Sequence, residues 1–156
     1  AMSRMSKIIR LDKYLSGLVL RMEYQDGSFR QYKAIMTTAQ ADATSKLSRL
    51  SGSQIVAART ECKQSGDSDG YSSILSTVIF VLDKGLGTSR TEELENKQYQ
   101  ALAGLADAVL TRIADDATSG ICNLLSGLKL DSVDITPESS IFGGWSGYSI
   151  EISFIC

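Results

Sequence analysis

The sequence predicts an α+β domain: a mainly antiparallel sheet of about four strands packed against one long helix, preceded by one or two N-terminal helices. Three observations carry that expectation. Tyr148, Ile150, Ile152 and Phe154 alternate with Ser149, Glu151 and Ser153, the period of two of a strand with one buried face. Residues 78–82 read Val-Ile-Phe-Val-Leu, which fits a central strand covered on both sides. Leu94, Ala101, Leu102, Leu105, Val109 and Ile113 repeat at helical spacing, enough for an apolar stripe to about Ala117.

Ile8, Leu11, Leu15, Leu18 and Met22 recur at three- and four-residue intervals, predicting a helix over residues 7–22. A rival reading makes residues 17–36 a hairpin. Leu18, Leu20, Met22 and Tyr24 also alternate, and Asp26-Gly27 is a turn signal before Phe29 to Met36. Residues 1–6 read as disordered or vector-derived, with a native start at Met2 or Met5. Thr37 to Leu50 forms a second, modest helix broken by Ser51-Gly52-Ser53, and Gln54 to Glu61 a strand. Residues 64–70, QSGDSDG, read as a polar loop before a strand from Tyr71 to Leu82. Gly85-Leu86-Gly87 ends that strand, and Ser89 with Glu92 supplies a capping box for the long helix. Ile121, Leu124 and Leu125 add one further turn. Leu128 to Thr136 reads as a strand whose apolar parity changes near Ser132, the sign of a β-bulge, and Pro137 ends its ladder.

At 156 residues, 43% hydrophobic and 22% charged, the chain reads as one domain over 1–156 with an ordinary core. A net charge of -2 argues against nucleic-acid or anionic-membrane binding through overall charge. Histidine is absent. Ser-His and Cys-His nucleophile pairs, imidazole metal sites and the usual neutral-pH proton shuttle are therefore removed. Cys62, Cys122 and Cys156 stand far apart without a CxxC pair, the usage of reduced thiols in an unsecreted protein, with Cys122 in an apolar stretch. The longest apolar run, within Ile74 to Leu82, is too short to cross a bilayer.

Four short patterns invite chemistry and each is incomplete. Gly85-Leu86-Gly87-Thr88-Ser89 lies between strand and helix, where amides meet phosphates. Arg90 stands where the dinucleotide fingerprint needs glycine, and no Gly-Lys-Ser/Thr follows. Asp67-Ser68-Asp69-Gly70 begins like a calcium loop, but the closing acidic position falls on Val78. Ser126-Gly127-Leu128-Lys129 matches a bare S-x-x-K without its companion motifs. The carboxylates at 92, 93, 95, 115 and 116 make a wet helix face. No catalytic residue, metal ligand or cofactor follows from these patterns.

Ile141 to Trp145 lead through glycines into the closing strand and hold the single tryptophan. Trp145 has two readings: a core aromatic, or an anchor in a subunit interface. Phe142, Trp145 and Tyr148 are the interface candidates.

VIFVLDK (78–84), TEELENKQYQALAGLADAVLTRI (91–113), LKLDSVDITPE (128–138) and SGYSIEISF (146–154) together resemble the tail-terminator, or tail-completion, proteins of tailed bacteriophages and prophages. The resemblance covers about Gln54 to Phe154, and residues 1–53 match less well. It implies a non-enzymatic structural subunit of a homo-oligomeric ring, often a hexamer, that caps or joins the tail tube. Its implied partners are itself and other tail or head–tail joining proteins, without nucleic acid or membrane. Its implied place is the bacterial cytoplasm during assembly, then the virion. The competing expectation is a small ligand- or nucleotide-binding module using Gly85–Ser89.

Overall fold

The computed structural model describes residues 4–20, 35–38, 40–50, 52–67, 70–84, 91–118 and 128–155. Along the chain these form α1 (Arg4–Leu20), β1 (Ile35–Thr37), α2 (Gln40–Leu47), β2 (Gln54–Ala58), β3 (Glu61–Asp67), β4 (Gly70–Lys84), α3 (Glu92–Thr118), β5 (Lys129–Ile141) and β6 (Trp145–Ile155). The fold is α+β, as its sequence predicts. Among the described residues the sheet has six strands rather than four, in the order β1-β2-β4-β6-β5, with β3 also on β4. Only β1–β2 is parallel; the other pairings are antiparallel.

Alternation sorts the strands' side chains onto two faces. On one face Leu11, Tyr14 and Leu15 of α1 and Leu105, Val109 and Ile113 of α3 bury the sheet residues Ile55, Leu75, Ile79, Ile150, Ile152 and Phe154. The Tyr14 hydroxyl donates to Asp116 Oδ2 at 2.6 Å, tying the two helices together. On the other face Ala43 and Leu47 of α2 pack with Val56, Leu82, Phe142 and Trp145. That second layer covers one end of the sheet. Val78 and Phe80 are therefore only half-buried on it, so β4 is central but not fully covered on both sides.

β2 and β3 are one long strand broken by a bulge. Ala57 faces Ile79 and Glu61 faces Ser76, so Ala58, Arg59 and Thr60 oppose only Thr77 and Val78. The backbone groups freed there find partners. Thr77 Oγ1 donates to the Ala58 carbonyl at 2.6 Å, and the Arg59 amide donates to the Thr37 carbonyl of β1 at 2.9 Å. The Thr60 amide and hydroxyl both donate to Asp12 Oδ1 of α1, at 2.9 and 2.7 Å.

The structure corrects several expectations. The stretch 64–70 is not a loop through its length, because Gln64 to Asp67 and Gly70 belong to a hairpin ladder on β4. Its residues are polar because β3 lies at an edge, where neither face needs an apolar stripe. Thr37 is in β1 and the second helix is shorter, from Gln40 to Leu47. Pro137 does not end β5; it faces Tyr148 within the ladder. An edge strand has one side without a partner, where a missing N–H breaks no ladder bond. The N-cap of α3 is Thr91, whose Oγ1 accepts from the Leu94 amide at 3.2 Å, and Ser89 lies outside the described residues. Leu94 and Ala101 are exposed and leave the helix stripe to residues 102–113. α1 begins at Arg4, inside the stretch read as disordered, and stays helical to Leu20. Asp26-Gly27 and the turn at 121–125 lie outside the described residues. The bulge foreseen near Ser132 is present, as a register shift between Leu130 and Ser132.

Gly147 sets how closely β6 approaches β4. A Cβ there would overlap the Val81 carbonyl oxygen and sit 3.1 Å from both Leu82 Cα and Leu102 Cδ1. Gly147→Ala is expected to destabilise the fold by about 2–3 kcal/mol, as overpacking against backbone does. Asp12→Ala, which strands the Thr60 amide, is expected to cost about 1–3 kcal/mol. Urea denaturation of each variant against the parent chain measures both.

Candidate functional site

Phe142 and Trp145 sit at the hairpin that joins β5 to β6. The Gly144 amide donates to the Ile141 carbonyl at 3.1 Å, closing a turn with Phe142 at φ 50° and Gly143 at φ 87°. Positive φ at both central positions matches the right-handed twist of the flanking strands. A phenylalanine in that region carries strain of order 1 kcal/mol. Burial of its ring, edge-to-face on Phe80 at 4.9 Å, offsets that strain.

The three interface candidates do not share a surface. Trp145 is 1% exposed and packs with Phe142 in the α2-side cluster. Tyr148 points to the opposite face, packed against the α1–α3 core and edge-to-face with Tyr99 of α3 at 5.7 Å. The Tyr99 hydroxyl donates to the Glu138 carbonyl at 2.6 Å, fixing α3 to β5. Within a single chain Trp145 is a core residue.

Among the described residues an open cleft of about 410 Å³ lies on the α2 side, lined by Thr37, Thr38, Ala58, Val78, Phe80, Glu138, Ile141 and Phe142. Its floor is apolar, and Glu138 is the ionisable side chain on its wall. Glu138 Oε1 accepts from Ser149 Oγ at 2.9 Å. At the rim, Asp42 has its pKa lowered, first by Lys46 one helical turn on and then by bonds from Thr37 and Thr38, against some desolvation. The cleft can hold an apolar group; among the described residues that line it, no nucleophile, base and orienting group come together.

Gly85–Ser89, Ser68, Asp69 and Ser126 lie outside the described residues, as do Cys122 and Cys156. Cys62 is exposed on β3. Among the described residues no group of three or more acidic or cysteine side chains is placed to hold a metal ion, and no helix is long and apolar enough to cross a membrane. No protein-family model and no curated protein matches the chain.

The surface that sequence reasoning missed lies on β5. Val133 and Ile135 face Ile152 and Ile150 across the ladder, on the side that carries the main core. They are nevertheless 37% and 49% exposed, because the core helices do not reach over the edge strand far enough to bury them. Period-two alternation marks such residues as inward; only the sheet order shows that they stand at a rim.

Replacing Trp145 by Ala is expected to remove about 3–5 kcal/mol of stability, the usual loss for a large buried aromatic. A thermal melt that barely moves would show that the indole is not held in the core.

Proposed function

We propose that this chain is a non-enzymatic structural subunit that assembles with copies of itself, of the kind that forms tail-terminator or tail-completion rings in phages and prophages. The observation that supports the assembling role is the β5 rim. A 13-residue strand with one sheet neighbour among the described residues leaves two β-branched apolar side chains in water, which is a feature of surfaces that bind protein. The phage-tail class itself is supported by the resemblance of residues 54–154 to those proteins. On this reading the partners are copies of the chain and adjoining tail or head–tail proteins. The site of assembly is the bacterial cytoplasm and the destination is the virion. The chain has no chemistry to perform; its work is geometric, through surfaces that repeat from copy to copy.

Light scattering over a range of concentrations, with electron microscopy of the assembled fraction, tests this function. Ring-shaped oligomers are expected, and a monomer at every concentration would overturn it. Val133→Ser with Ile135→Ser is expected to weaken self-association at least about tenfold, since each partly exposed aliphatic contributes about 1 kcal/mol on burial. The melting temperature should change little, because neither side chain is fully buried in the single chain.

A further inference from the structure

We infer that copies of this chain join head to tail, with the acidic β5 flank of one copy seated on the basic α1–β3 flank of the next. This inference rests on the assembling role proposed above and names the surfaces that would carry it. The two flanks lie at opposite ends of the sheet. α1 packs over β2 and β3, while β5 closes the far side beyond β6.

The flanks are opposite in charge. On β5, Asp131 and Asp134 are exposed, and Glu151 of β6 faces Asp134 across the ladder and is exposed as well. Lys129 is the one basic residue of that strand. On the other flank Lys13 and Lys63 are exposed, and Arg59 stands between them in sequence with its side chain 54% exposed. The acid of α1, Asp12, is turned to internal use: Thr60 donates to it and Arg59 lies 3.9 Å from its second oxygen. Glu61 remains as an exposed acid on that side.

Each flank also offers apolar side chains. Ile9 of α1, 50% exposed, stands one helical turn before Lys13 and so on the same face. On β5, Val133 and Ile135 lie on the core side of the sheet, while Asp134, opposite Glu151, lies on the other side. That edge therefore shows an apolar rim on one face and an acidic rim on the other, and the complementary signs of the two flanks favour this register over others.

Charge and backbone both disfavour the simplest alternative, two β5 edges pairing about a two-fold axis. That arrangement sets acid against acid. Pro137 offers no amide, and register shifts at 130–132 and 138–141 interrupt the strand, both features that blunt an edge. A contact between two different flanks is heterologous, and it closes into a ring when the rotation between neighbours divides a full turn.

A charge exchange in trans tests the interface. One variant carries Asp131→Lys and Asp134→Lys; the other carries Lys13→Glu and Lys63→Glu. All four positions are exposed, and circular dichroism melts confirm that each variant folds. In low salt each variant alone is expected to associate at least about tenfold more weakly than the parent chain, an effect that shrinks at about 0.5 M salt as screening shortens. An equimolar mixture is expected to recover assembly, because alternating copies then make two kinds of contact, the new lysines against the new glutamates and the native acids against the native lysines. Parent protein that assembles beside a mixture that does not, or variants that assemble as the parent does, would overturn this interface and leave the assembling role intact. Parent protein that never assembles would overturn both.

Discussion

The sheet depends on how one bulge is satisfied. Between β2 and β3 the chain has one residue too many for its partner strand, and the backbone groups around it cannot all bond to β4. Unpaired and buried, such groups would cost about 1–3 kcal/mol each. They are instead distributed over three elements: Thr77 of β4 takes the Ala58 carbonyl, Thr37 of β1 takes the Arg59 amide, and Asp12 of α1 takes the Thr60 amide. The same bonds fix β1 at the sheet edge and set where α1 lies. Local irregularity is thus what couples the N-terminal helix to the sheet, and the apolar contacts of Leu11, Tyr14 and Leu15 follow from that placement.

The two faces of the sheet are built to different standards. Under α1 and α3 the core is continuous and apolar. On the other side, α2 and the Phe142–Trp145 hairpin fill one end, and Val78 and Phe80 line an open cleft beyond it. The strained left-handed Phe142 belongs to this smaller layer. Its conformation lets the ring meet Phe80 and lets the chain reverse, so one residue serves both the turn and the second core.

Legibility in the sequence followed the strength of burial. β4, β6 and α3 were readable because each carries an uninterrupted apolar pattern: Ile79 and Val81, Ile150 to Phe154, Leu102 to Ile113. β3 was not readable, since Glu61 to Gln64 are exposed and the strand is held mainly by backbone pairing with β4. The three-residue β1 is likewise held by β2 and says little for itself. Pro137 misled because its effect depends on strand position, and an edge strand cannot be told from a central one before the order is known. The same ignorance hid the exposed apolar pair on β5. Val133 and Ile135 have the spacing of core residues, and only the sheet order shows them at the rim. Trp145 was left between core and interface by the sequence; its contacts with α2 and Leu82 put it inside the chain.

The position of β6 between β4 and β5 governs the order in which the molecule can be made. β5 leaves the ribosome before the one strand it pairs with, and β4 waits through all of α3 for the same neighbour. β5 completes its ladder locally, through the hairpin at 142–144, but β4 cannot, so the closing step joins residues as distant as Ile79 and Ile150. Folding that relies on such non-local pairing is slow compared with helical bundles of the same size. Until it finishes, β4 presents an open edge. On β5, the proline and the register shifts at 130–132 and 138–141 blunt the edge that stays open once the sheet has closed.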